Sequence, residues 1–215
     1  MTSTGVLSGE KRRAEEVRRG RRLEYLTVAW NSLEGLIAVG AGLLAGSVAL
    51  VGFGFDSVIE VSSGAALIWR LHMDAPSERE RAERIALKLV GVSFLLLTAY
   101  VATDAAISLV KREPPEASYT GIALASFSMV VMPLLARAKR RVAASIDSRA
   151  LEADSRQTDL CAYLSAILLG GLLLNALLGW WWADPLAALA MTPIIAREGV
   201  QALRGKTCCD GDACH

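Results

Sequence analysis

Long apolar runs alternate with short charged segments through most of the chain, and six of the runs approach the length of a membrane span. They cover residues 23–44, 47–69, 85–110, 119–135, 151–178 and 185–200. A helix needs roughly 20 apolar residues to cross a hydrocarbon core of roughly 30 Å, so the pattern predicts an all-α polytopic membrane protein built as a six-transmembrane-helix bundle. The fourth and sixth runs are short and carry Pro133 and Pro193, which leaves their ends open. The fifth begins with polar turns that the pattern places in water. A basic segment, residues 1–22, precedes this bundle of residues 23–204, and a Cys/His-rich tail, residues 205–215, follows it.

The distribution of charge sets the orientation. Of the 23 lysines and arginines, only Lys111 and Arg112 fall between spans three and four; the others flank or enter the opposite ends of the spans. Such a bias places both termini in the cytoplasm. Six is the span count that keeps this pattern. The first 22 residues have no apolar core of a signal peptide, so span one is expected to act as the insertion signal, most simply in the cytoplasmic membrane. Composition adds little beyond this: 53% of the 215 residues are hydrophobic, and no length remains for a second folded domain. The basic residues follow topology, which argues against a nucleic-acid partner and for membrane lipids. There is no phosphate-binding glycine loop and no nucleophile elbow, and the chain is too short for an ATP-driven pump. A transporter is expected, not an enzyme.

Polar residues inside the spans carry the candidate chemistry. Asp56 and Glu60 lie four residues apart in span two, so both carboxylates share one helix face. Each ionised group at mid-membrane costs roughly 2.5–3.5 kcal/mol, and two like charges require a cation, protons or a polar cavity. In span five Gln157 and Cys161 repeat the spacing. Two helices that each offer such a pair can close a four-coordinate site, and a thiolate beside carboxylates moves the preference toward Zn²⁺, Cd²⁺ or another soft ion. Cys161 reads equally well as a small buried apolar residue, and Gln157 as an interhelical hydrogen-bonding group. Asn31 and Glu34 in span one, Asp154 on the Gln157–Cys161 stripe and Asp159 half a turn off it are possible accessory groups. The register of span five leaves Asp159 open as an alternative ligand. In the tail, Cys208, Cys209, Cys214 and His215 make a soft-metal chelating sequence, or else a disordered end with adventitious affinity.

Several patches of the chain resemble the cation diffusion facilitator superfamily. Leu43-Leu44-Ala45-Gly46-Ser47-Val48-Ala49-Leu50 with Phe55-Asp56-Ser57-Val58-Ile59-Glu60 looks like that family's first hairpin and span-two motif. Ala150-Leu151-Glu152-Ala153-Asp154 looks like its approach to span five, and Ala183-Asp184-Pro185-Leu186-Ala187-Ala188 like its start of span six. The resemblance puts Asp56 and Glu60 in the span-two ligand places and Gln157 and Cys161 in the span-five places. Gln157 there replaces a usual His or Asp, and Cys161 replaces an Asp. The chain ends at His215, before the family's usual cytosolic metal-binding domain, so a homodimer is expected to form through the spans. The resemblance implies export of divalent cations from the cytosol, Zn²⁺ first, by proton antiport with alternating access. A membrane-embedded metal sensor or buffer without transport is the alternative.

Overall fold

The computed structural model describes residues 3–71, 76–112, 115–146 and 149–204, and among these the chain forms six helices and no strands. They are α1 (Ser3–Ala45), α2 (Val48–Leu71), α3 (Pro76–Lys111), α4 (Tyr119–Ile146), α5 (Arg149–Leu178) and α6 (Ala183–Leu203). Each apolar run is one helix. Three helices extend past their apolar runs at the basic end of the bundle, where α1 begins at Ser3, α3 at Pro76 and α4 continues to Ile146. The extension of α4 is rich in alanine, lysine and arginine, which are strong helix formers. Pro76 stands at the first helical position, where its missing N–H costs nothing. Pro133 and Pro193 sit inside α4 and α6 without ending them.

Five of the helices are both long and apolar enough to cross a membrane; α6, the sixth, carries Asp184, Arg197 and Glu198 and lacks so long an apolar stretch. The distribution of side chains confirms the solvent. Leu36, Leu44, Val110 and Leu177 project outward and are largely exposed, whereas Glu24, Asn31, Glu34, Asp56, Glu60 and Lys139 are buried. Polar groups turned inward and leucines turned outward suit a lipid surround.

Two packed groups make up the bundle. Helices α1, α2, α4 and α5 form one, and α3 packs chiefly on α6 to form the other. Within the first, α1 and α2 approach backbone to backbone. A Cβ at Gly42 would lie 2.7 Å from Val51 Cγ2, and one at Gly54 would lie 2.7 Å from Val39 Cγ2. Between α3 and α6 the equivalent contact is Gly91 on Gly199, where a Cβ at Gly91 would meet the Gly199 carbonyl oxygen at 2.9 Å. Small residues allow this closeness.

The outer end, opposite the basic one, is stitched by hydrogen bonds. Gly46, at φ +66°, turns the chain from α1 into α2. The Ser47 hydroxyl accepts from the Leu50 N–H at 3.1 Å as the cap of α2, and itself donates to Asp184 at the start of α6. The Ala49 N–H reaches the other Asp184 oxygen at 3.4 Å. Asn175 on α5 donates to the Pro115 carbonyl at 3.0 Å, and the Glu116 N–H to the Ala45 carbonyl at 2.8 Å. Gly179, also at φ +66°, closes α5, with the Trp180 N–H reaching back to the Leu174 carbonyl. Inside this rim Leu50, Phe53, Leu168 and Met191 are fully buried and form an apolar layer.

Candidate metal centre

Asp56 and Glu60 are placed by α2 on its buried face, 7% and 5% exposed, as the four-residue spacing requires. Ser57 between them turns toward α1 and donates to Glu34 Oε2 at 3.0 Å while also bonding its own helix at Phe53. On α5, Cys161 is fully buried and Gln157 is half-buried. One small cavity joins the two pairs. It has a volume of about 10 Å³, the scale of a single water or ion, and Asp56, Glu60, Gln157, Cys161 and Glu198 line it with Phe94, Leu164 and Ile194. The cavity therefore lies on the seam between the four-helix group and the α3–α6 pair.

The four residues named from the sequence thus face one space. They do not converge further: among the described residues, no three His, Cys, Asp or Glu side chains come together closely enough to hold a metal ion. Glu60 Oε1 is buried and has no hydrogen-bond partner. Gln157 Oε1 accepts from Ser63 at 3.2 Å, a contact that bridges α5 and α2.

Around this space the accessory residues separate. Glu34 stands behind the cavity on α1, where it accepts from Ser57, from Ser128 on α4 and from the Cys161 thiol at 3.9 Å. Trp30 also donates to Ser128, at 3.3 Å. Asn31, next to this cluster on the buried stripe of α1, is fully buried, and neither its amide nitrogen nor its oxygen has a partner. Asp154 is drawn away from the cavity. Its carboxylate pairs with Lys139, which also lies 3.3 Å from Glu24 and 3.3 Å from the Thr158 hydroxyl. Asp159 pairs instead with Arg140 on the surface between α4 and α5. The polar start of α5 is accordingly not immersed in water: Asp154, Ser155 and Thr158 are buried against their neighbours. The tail residues Cys208, Cys209, Cys214 and His215 lie outside the described residues.

Two charged residues turned toward the interior were not legible as such. Lys139 reads in the sequence as one more cytoplasmic charge beside Arg137, Arg140 and Arg141, yet it is 0% exposed. Only the helical stripe of α4, Ser128, Met132, Leu135, Lys139 and Val142, marks it as inward. Glu198 is an acid within the sixth apolar run, and that interruption is its only sequence signal.

Residues 25–206 match the cation efflux transmembrane domain. An uncharacterized transporter of Synechocystis is 26% identical over 175 residues, or 78% of this chain and 56% of that protein. Transmembrane protein 163 of Xenopus laevis is 25% identical over 205 residues, or 93% of this chain and 73% of that protein. The chain therefore spans just over half the length of the cyanobacterial relative. With the match running from α1 through α6, the chain belongs to the cation efflux family of membrane transporters.

Proposed function

We propose that this protein exports divalent metal cations from the cytosol across the cytoplasmic membrane, with Zn²⁺ as the first cargo, in exchange for protons. The observation that carries this reading is the ion-sized cavity lined by Asp56, Glu60, Gln157 and Cys161, with a buried Glu60 oxygen left without a partner. A buried unpartnered carboxylate oxygen is costly unless a ligand uses it. Two carboxylates, an amide carbonyl and a thiol make a mixed oxygen and sulfur donor set, which Zn²⁺ and Cd²⁺ accept.

The donors line the cavity without converging, so binding has to draw them together. A cation arriving in the cavity displaces protons from the carboxylates and the thiol and contracts the two helix pairs around itself. Because the cavity sits on the seam between the four-helix group and the α3–α6 pair, rocking of one group on the other would expose it on alternate sides. The buried layer of Leu50, Phe53, Leu168 and Met191 would then part on the outer side, where protons compete the metal off.

Zinc uptake into proteoliposomes, followed with an entrapped fluorescent chelator and driven by an acidic lumen, tests this. Flux in the parent protein that vanishes in Asp56→Ala is the expected result. Flux that survives both Asp56→Ala and Glu60→Gln would remove the site assignment.

A further inference from the structure

Glu198 is the one carboxylate in the cavity that belongs to neither ligand pair. It projects from α6 near the end of that helix at Leu203, and it shares the cavity with Asp56, Glu60 and Cys161. We propose that Glu198 is a cation-binding residue of the transport site, which takes the divalent cation arriving from the basic, cytosolic end and holds it beside Asp56 and Glu60. This inference rests on the transport reading above and adds a third helix, α6, to the site.

Three features of the structure support it. First, exposure is graded: Glu198, near the basic end of α6, is half-buried, whereas Asp56 and Glu60 are buried. The partnerless Glu60 oxygen at the same cavity supplies an acceptor to which the cation can pass. Second, the position of Glu198 is fixed by its neighbour. A Cβ at Gly199 would lie 3.0 Å from Phe94 Cβ and 3.1 Å from the Gly91 carbonyl oxygen, and Phe94 itself lines the cavity. Helix α6 cannot turn Glu198 away without breaking this glycine-on-glycine crossing.

Third, the acids on the α4 side are already taken. On the α4 side of the bundle the Lys139 ammonium occupies the space between Glu24 and Asp154, and Arg140 occupies Asp159. Asp154 and Asp159 there are already paired with cations, whereas Glu198 faces the cavity itself. A third negative group at the cavity raises the attraction for a dication without adding to the apolar barrier on the outer side.

The test is Zn²⁺ flux in proteoliposomes carrying the full chain, with KM and kcat measured separately. In Glu198→Gln the charge is lost and the shape kept, so KM should rise about tenfold, the equivalent of one lost close charge contact, with kcat within about twofold of the parent. Glu198→Asp retains the charge and should recover most of the KM. An unchanged KM in Glu198→Gln, or equal KM values in the Gln and Asp variants, overturns the inference while parent flux leaves the transport reading standing. Absence of Zn²⁺ flux in the parent protein overturns both. If Glu198→Gln is not recovered folded, Glu198→Ala carries the same expectation, because the side chain reaches a cavity and not a packed core.

Discussion

The Cys161 thiol donates to Glu34 Oε2 at 3.9 Å, which ties the α5 half of the candidate site to α1 as well as to α2. Glu34 in turn accepts from Ser57 on α2 and Ser128 on α4. One carboxylate thus gathers four helices behind the cavity. Cys161 is held in place from the far side, by a group that need not touch the cation.

This arrangement makes Cys161 a test of cargo chemistry. Replacing the thiol by a carboxylate in Cys161→Asp turns a mixed oxygen and sulfur donor set into an oxygen-only one. Transport preference should move away from Cd²⁺ and Zn²⁺ and toward harder ions such as Mn²⁺. The ratio of Cd²⁺ to Mn²⁺ flux should fall by about tenfold, the scale of one exchanged ligand. A metal ranking identical to the parent's would show that Cys161 only packs between Glu34 and Glu60.

Cation binding should also strengthen as pH rises. As the proposed ligands, Asp56, Glu60 and Cys161 would bind metal only in their deprotonated forms, so each cation bound would displace protons. With one proton released per cation, the apparent affinity for Zn²⁺ rises about tenfold per pH unit until the displaced group is already ionised. Titration calorimetry of the detergent-solubilised protein between pH 6 and 8, repeated in buffers of different ionisation enthalpy, counts those protons. An affinity flat across that range would leave proton antiport without a basis at this site.

Much of this was legible in the sequence, for physical reasons that can be named. A lipid surround makes apolar length nearly sufficient to find a helix, so all six appear where the runs do. The i, i+4 rule fixes Asp56 with Glu60, and Gln157 with Cys161, on common faces regardless of tertiary structure. What the sequence does not carry is which buried charge meets which. Asp154 shares the Gln157–Cys161 stripe, and only the inward turn of Lys139 from α4 shows that its carboxylate is already taken. Glu198 was hidden for the opposite reason. Its place beside Asp56 depends on the Gly91–Gly199 crossing, a contact between helices far apart in the chain.

Asp184 offers a contrast with the candidate metal ligands. It is fully buried, yet its partners are the Ser47 hydroxyl and the Ala49 N–H at the cap of α2. A carboxylate near the first N–H groups of a helix is stabilised by them, so this residue joins α6 to α2 at the outer rim. Asp184→Leu should lower stability by about 1–3 kcal/mol, the cost of leaving the Ser47 hydroxyl and a buried N–H unpaired. Thermal denaturation in nanodiscs should show the fall, while the KM for Zn²⁺ in the surviving folded fraction stays near the parent's. A large KM change with unchanged melting would place Asp184 on the cation path instead.

Lys139 poses the sharpest question of stability against function. Its ammonium group is 0% exposed and stands between Asp154 and Glu24, with the Thr158 hydroxyl at 3.3 Å. Removing one partner of such a buried group leaves uncompensated charge, which typically costs about 3–5 kcal/mol. Lys139→Met alone should therefore be poorly recovered or melt far below the parent. Replacing the whole group by apolar residues of similar volume, as in the triple variant Glu24→Met, Lys139→Met, Asp154→Leu, removes that penalty and should restore melting to near the parent's value. Zinc flux then separates the roles. If the triad only joins α1, α4 and α5, the triple variant transports with a KM close to the parent's. If the triple variant melts like the parent but has lost flux, the three charges belong to the transport cycle itself.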